Sequence, residues 1–205
     1  MHDKRPVRPA RDKLLQIASE QGGYFTTAQA GDCGFSKALL AHHAKRGGFI
    51  RVRRGLYRFP EYPPSPREDV LVAWLAAGRD VAVVSHESAL DLLGLSDIVP
   101  QVVHLSVPRS KRYRPASAGV AIHTTTRDLA GADVAIREGI RVTSPLRSIV
   151  DAAEAGAAPE QIIAAVSQAV ERGMATPPQL LAAASERGGR VERLVRQAIE
   201  QERTR

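Results

Sequence analysis

Cysteine is nearly absent from this chain of 205 residues, and Cys33 stands alone. One thiol excludes an internal disulfide and a thiolate metal cluster. It also points to a reducing, cytoplasmic compartment. Aromatic residues make up only 4% of the chain, so Leu, Val, Ile and Ala are expected to fill the core. No stretch approaches the roughly 18 consecutive apolar residues of a spanning helix, so no membrane partner is expected. The basic start, Met1 to Lys13, has no apolar stretch behind it and does not read as a secretory signal. Catalytic signatures are missing as well: there is no phosphate-cradling GxxxxGK loop, no HExxH and no GxSxG. The six histidines, His2, His42, His43, His86, His104 and His123, show no metal-ligand spacing, and no metal or cofactor is expected.

What the chain does have is charge in one place. The formal net charge is +7. Residues 1–60 hold twelve Lys and Arg against four acids, a net +8, while residues 61–205 hold 17 bases against 18 acids, a net −1. All of the positive excess therefore sits in the first third. That asymmetry suggests a polyanion-binding head on a nearly neutral body. A basic surface kept for solubility is the plainer alternative.

The apolar pattern divides the chain the same way. Leu14, Leu15, Ile17 and Ala18 mark a helix from about Pro9 to Gln21, stopped by Gly22-Gly23. Thr26 or Thr27 can cap a short second helix, and Ser36 a third over Lys37 to Arg46, with Leu39 and Leu40 facing inward. The period then changes. Phe49 to Arg53 and Leu56 to Phe59 read as two strands around an Arg54-Gly55 turn. The order helix, short helix, turn, helix, hairpin predicts a winged helix-turn-helix domain over 1–60. Four prolines between Pro60 and Pro66 predict a stiff linker over 61–66. Residues 67–205 are expected to form a second, mixed α/β domain, so the fold class is α+β. Its elements begin with a helix over Arg67 to Ala77, a strand over Val81 to Val84, and a helix over His86 to Leu93 capped by Ser85. Strands over Val102 to Val107, Val120 to Thr126 and Ile140 to Val142 follow. Several helices close the chain, opening at Pro145, Pro159, Pro177 and Val191.

In a helix-turn-helix the second helix enters the major groove. That assigns Ser36, Lys37, His42, Lys45 and Arg46 as DNA-contacting candidates, with only one of His42 and His43 facing outward. The wing adds Arg51, Arg53, Arg54 and Arg58, which can track phosphates or enter a minor groove. The N-terminal arm adds Lys4, Arg5 and Arg8. A solvated helix face and a charge-protected edge hairpin are the alternatives. The loop carrying Arg109, Lys111, Arg112 and Arg114 is a second basic candidate surface. His104 and His123, on neighbouring strands, read as a core or surface pair. His86-Glu87 opens a helix and reads first as a structural cap region; were the chain an enzyme, His86, Glu87 and Asp91 would be its acid–base candidates.

Several stretches carry a family resemblance. They are Gly23-Tyr24-Phe25-Thr26-Thr27-Ala28-Gln29-Ala30, the run from Gly47 to Phe59 containing RVRRGLYRF, SHESALDLLGL at 85–95, VHLSVP at 103–108 and VTSPLRSIVD at 142–151. Together they resemble the AbiEi-type antitoxins of type IV toxin–antitoxin systems. The resemblance implies a protein that binds inverted repeats in its own promoter and represses its operon. It also implies a C-terminal domain that opposes a nucleotidyltransferase-type toxin without requiring a stable complex; the basic 109–114 loop, which a plain solvated loop would equally explain, is a candidate surface for that activity. Two other readings stay open: a winged-helix regulator whose C-terminal domain senses a small ligand, and an enzyme acting on nucleic acid.

Overall fold

The computed structural model describes residues 9–111, 118–126 and 129–203. The chain forms two compact units, one through Ala76 and one from Ala77.

The first unit runs α1 (Arg11–Ser19), β1 (Tyr24–Thr26), α2 (Thr27–Asp32), α3 (Lys37–Lys45), β2 (Ile50–Arg53), β3 (Leu56–Arg58) and α4 (Glu68–Ala77). Its antiparallel sheet has the order β1-β3-β2, so the hairpin docks against the strand that follows α1. The α2 start is fixed by Thr26, not Thr27. Thr26 Oγ1 accepts from Gln29 N, and Gln29 Oε1 accepts from Thr26 N at 2.8 Å, a reciprocal capping box. Ser36 Oγ accepts from Leu39 N at 3.1 Å and so starts α3.

The core of this unit corrects one compositional expectation. Aromatics are few overall, yet eight of the nine fall within residues 24–74. Phe25, Phe35, Phe49 and Phe59 all lie in one buried cluster with Leu14, Leu40 and Tyr57. Phe25 meets Phe49 edge-on at 4.9 Å and Phe59 at 5.2 Å. Scarcity across the chain thus hides local concentration in the first unit. Gly23 (φ +87°) lies so close to Tyr62 that a Cβ would sit 2.2 Å from the ring. The proline-rich segment is therefore tied to the winged-helix sheet. The unit extends past it through α4: Tyr24 Oη donates to Glu68 at 2.5 Å, and Arg53 donates to the Val72 carbonyl at 2.6 Å.

The second unit is built on a five-stranded mixed sheet ordered β6-β5-β4-β8-β7. Its strands are β4 (Val83–Val84), β5 (Val103–Pro108), β6 (Val120–Thr125), β7 (Val134–Arg137) and β8 (Ile140–Thr143). β4 pairs parallel with β8 and β5 parallel with β6, while the β4–β5 and β7–β8 pairs are antiparallel. β4 leads directly into α5 (His86–Leu93), and β8 leads into α6 (Pro145–Ala155). These two helices pack on each other, so their first turns meet beside the ends of the parallel pair. α7 (Pro159–Glu171), α8 (Pro177–Ser185) and α9 (Gly189–Arg203) follow, with α7 and α8 both packed on α9. Pro145, Pro159 and Pro177 each open a helix, as expected from their missing N–H. β7 was not expected from the sequence. It is an edge strand whose Ile136 is 66% exposed, and an edge carries no clear buried period.

Candidate functional site

The first candidate surface is the basic face of the winged-helix unit. On α3, Leu40 is buried and Ser36, Lys37, His42 and Lys45 are exposed, with Arg46 exposed just beyond the helix end. The two adjacent histidines diverge as helical geometry requires. His43 packs against Phe35 and Phe49, with ring centroids 5.8 and 5.1 Å apart, and leaves His42 outward.

The wing divides its four arginines. Arg51 and Arg54 are exposed. The β2–β3 register shifts between Arg51 and Arg53, and this irregularity breaks simple alternation. It turns Arg53 toward α4 and the Val72 carbonyl, where burial lowers its pKa. Arg58 lies on the central strand, only 7% exposed. Its guanidinium sits 5.8 Å from the Tyr24 ring centroid and donates to the Tyr62 carbonyl. Arg58 therefore departs from the expected surface set, because both faces of a central strand are covered. Arg53 is engaged by the fold rather than presented at the wing tip. Lys4, Arg5 and Arg8 lie outside the described residues. In the second basic candidate, Arg109 and Lys111 are exposed in a short 3-10 turn after β5, and Arg112 and Arg114 lie outside the described residues.

The second site lies wholly within the C-terminal unit, and sequence reasoning touched it only in part. A cleft of about 560 Å³ is lined by His86, Ser106, His123, Thr125, Arg147, Asp151 and Arg187, among others. His86 opens α5 with φ +54°, a left-handed conformation costly for a residue with a Cβ. Ser85 occupies the expected cap position but makes no side-chain cap bond. Its Oγ instead lies 2.9 Å from His86 Nδ1 and accepts from Ser106 Oγ at 2.8 Å. The serine hydroxyl thus orients an imidazole rather than satisfying the helix.

Three histidines converge here. His104 Nδ1 lies 2.9 Å from His123 Nε2, and His86 stacks on His123 with centroids 3.6 Å apart. Glu87 Oε2 stands 3.7 Å from His104 Nε2. The expectation of a mere strand pair was thus too small, since His86 joins it. Absence of metal-ligand spacing in sequence also did not mean absence in space: each ring offers a nitrogen within 4.8 Å of the others. The register explains why. Ser106 pairs with His123, and His104 with Ala121, so the two rings meet on a diagonal between parallel strands. Burial pushes the His86 pKa down to about 3, with His123 and His104 adding to the effect, and burial also lowers His104 and His123. Burial thus favours the neutral form of each ring.

Beside them lies a charge network. Arg147 is 5% exposed. It donates to Asp151 at 3.2 Å, Asp133 at 2.7 Å and Thr125 at 3.2 Å. Arg187 donates to Asp151 and to Glu154, both at 2.5 Å. Burial raises the Asp151 pKa and outweighs the opposing pull of Arg187 and Arg147. Both guanidiniums are thus matched by carboxylates within the cleft, which does not favour a bound anion. Of the expected acid–base group, His86 lines this cleft, Glu87 faces His104, and Asp91 is on α5 beyond the first turn.

The element order and three-stranded sheet of the first unit define a winged helix-turn-helix, the class of fold used by many DNA-binding regulators. Residues 12–60, spanning α1 through β3, match the family described as transcriptional regulator, AbiEi antitoxin. That match supports a regulator and antitoxin role. A solved structure of similar architecture is the RV2827C protein from Mycobacterium tuberculosis, at 17% identity and a TM-score of 0.60. The likeness covers 97% of this chain and 79% of that one, and concerns the fold alone. Among curated proteins, none matches the chain. Among the described residues, no helix is long and apolar enough to cross a membrane.

Proposed function

We propose that this chain is a cytoplasmic antitoxin and transcriptional autorepressor. It binds inverted repeats in its own promoter and opposes a nucleotidyltransferase-type toxin. The observation that carries the DNA-binding half is one exposed basic set on the two elements that a winged helix presents to DNA. Ser36, Lys37, His42, Lys45 and Arg46 come from α3, and Arg51 and Arg54 from the wing. Lys37, in the first turn of α3, reaches base edges; Lys45, Arg46, Arg51 and Arg54 neutralise phosphates. The N-terminal Lys4, Arg5 and Arg8 extend the same charge along the duplex. The family match over 12–60 supports the antitoxin half, which the C-terminal domain carries, with Arg109, Lys111, Arg112 and Arg114 as its basic surface. Toxin and antitoxin need form no lasting complex.

The test separates the halves within the full chain. The chain is co-expressed with the product of the neighbouring gene while a reporter reads its own promoter. Lys37→Ala with Arg54→Ala is expected to release the reporter and leave growth rescue intact. Substituting Arg109, Lys111, Arg112 and Arg114 together is expected to do the reverse. Repression that survives the first variant removes the winged helix from the account. A neighbouring product that does not slow growth removes the antitoxin half.

A further inference from the structure

The three-histidine cluster carries an inference that does not depend on the proposed function. We propose that His86 Nε2, His104 Nδ1 and His123 Nε2 bind one divalent first-row transition ion of the zinc class, with a fourth coordination position open to the cleft.

The donor atoms follow from what already holds the other nitrogens. His86 Nδ1 is engaged by Ser85 Oγ at 2.9 Å, which leaves Nε2. His104 Nε2 points toward Glu87 Oε2 at 3.7 Å, which leaves Nδ1, and that atom is already 2.9 Å from His123 Nε2. In a tetrahedral zinc site with bonds of about 2.0–2.1 Å, two nitrogens stand about 3.3 Å apart. Two of the three ligands are therefore close to that separation, and each of the three rings has a nitrogen within 4.8 Å of one on each of the others. Binding requires the His86 ring to turn out of its 3.6 Å stack on His123 so that Nε2 aims at the ion.

The surroundings fit a ligand set better than a packing accident. A metal-bound imidazole characteristically gives its second nitrogen to a carboxylate or other oxygen, which fixes tautomer and orientation. Glu87 and Ser85 occupy those positions for His104 and His86. Ser85 in turn accepts from Ser106 Oγ, so the support reaches the neighbouring strand. The left-handed backbone at His86 is backbone strain placed where it aims the ring. An all-imidazole set with no carboxylate ligand suits zinc, cobalt, nickel or copper, and disfavours magnesium and calcium, which require oxygen. His86 and His123 line the cleft, so the fourth position faces it and takes a water or a small exogenous donor.

The experiment uses the untagged full chain, stripped with a chelator and dialysed against zinc at fixed free concentration. One equivalent per chain is expected. X-ray absorption on the zinc-loaded wild-type protein should show three imidazole nitrogens and one further oxygen or nitrogen donor. Cobalt should give the visible bands of a four-coordinate site. His104→Gln with His123→Gln is expected to lose the equivalent, and His42→Gln to keep it. Glu87→Gln should weaken binding about tenfold or more through the second nitrogen of His104. No stoichiometric uptake, or fewer than three imidazoles in the wild-type absorption spectrum, overturns the proposal. So does full binding by the double variant. The absorption readout needs no variant and stands even where one fails to fold.

Discussion

Replacing Asp151 should destabilise the C-terminal unit far more than replacing its neighbour Glu154, although both carboxylates bond the same arginine. Asp151 is 5% exposed and receives Arg147 at 3.2 Å and Arg187 at 2.5 Å. Asp151→Asn takes one buried carboxylate from Arg147, equally buried, while the bond to Asp133 at 2.7 Å remains. Breaking a buried ion pair from one side costs about 3–5 kcal/mol. The surviving Asp133 contact and the residual polarity of asparagine place the expected loss near the lower end, about 3 kcal/mol. For a unit of this size that lowers Tm by about 10 °C. Glu154 is 49% exposed, and Glu154→Gln should cost less than about 1 kcal/mol. The direction of the Asp151 shift adds a second arm. Burial raises its pKa against the pull of two guanidiniums, so the network is costly to desolvate and is held together by mutual need. Arg147→Met combined with Asp151→Leu removes both buried charges and should recover most of the lost stability. Urea unfolding at neutral pH measures all three proteins. Asp151→Asn falling within error of Glu154→Gln would refute the reasoning, as would a double variant less stable than the single one.

Two further outcomes concern the winged-helix unit. Gly23→Ala must adopt φ +87° and place a Cβ 2.2 Å from the Tyr62 ring, so it should cost about 2–5 kcal/mol. Gly31→Ala, at a helical position with open space, should gain about 0.5–1 kcal/mol by the same denaturation assay. Burial and the hydrogen bond to Glu68 raise the Tyr24 phenol above its ordinary 10.0. A raised acid keeps its proton longer in the folded state, so its contribution is complete below pH 10 and fades as pH climbs through the folded value. Stability above pH 10 should therefore fall less steeply in Tyr24→Phe than in the parent.

Much of this was legible in the chain because local rules and tertiary structure agree. Glycine stops, serine caps and first-turn prolines marked most helices to within two residues, and Arg54-Gly55 marked the hairpin. Disagreement came where burial depends on partners far away in sequence. Arg58 looks like a wing cation from its neighbours, and only its place on the central strand, against Tyr24 and Tyr62, shows it to be a core residue. The cleft was present in sequence as fragments. SHESALDLLGL holds Ser85, His86 and Glu87, VHLSVP holds His104 and Ser106, and VTSPLRSIVD holds Arg147 and Asp151. Nothing in the spacing joins them. The β5–β6 register and the packing of α5 on α6 do, and neither is written in a local period.

The central claim is that the basic face of the winged helix binds DNA, and fluorescence anisotropy on the full chain tests it directly. The probe is a duplex from the chain's own promoter, titrated across salt and compared with a shuffled duplex. The exposed Lys45, Arg46, Arg51 and Arg54 supply four phosphate contacts that should make affinity fall with salt at a log–log slope of about −4 per protomer. Binding should favour the promoter over the shuffled sequence, and Lys37→Ala with Arg54→Ala should weaken it and flatten the slope. Equal affinity for both duplexes, or an unchanged slope in that variant, would contradict the account.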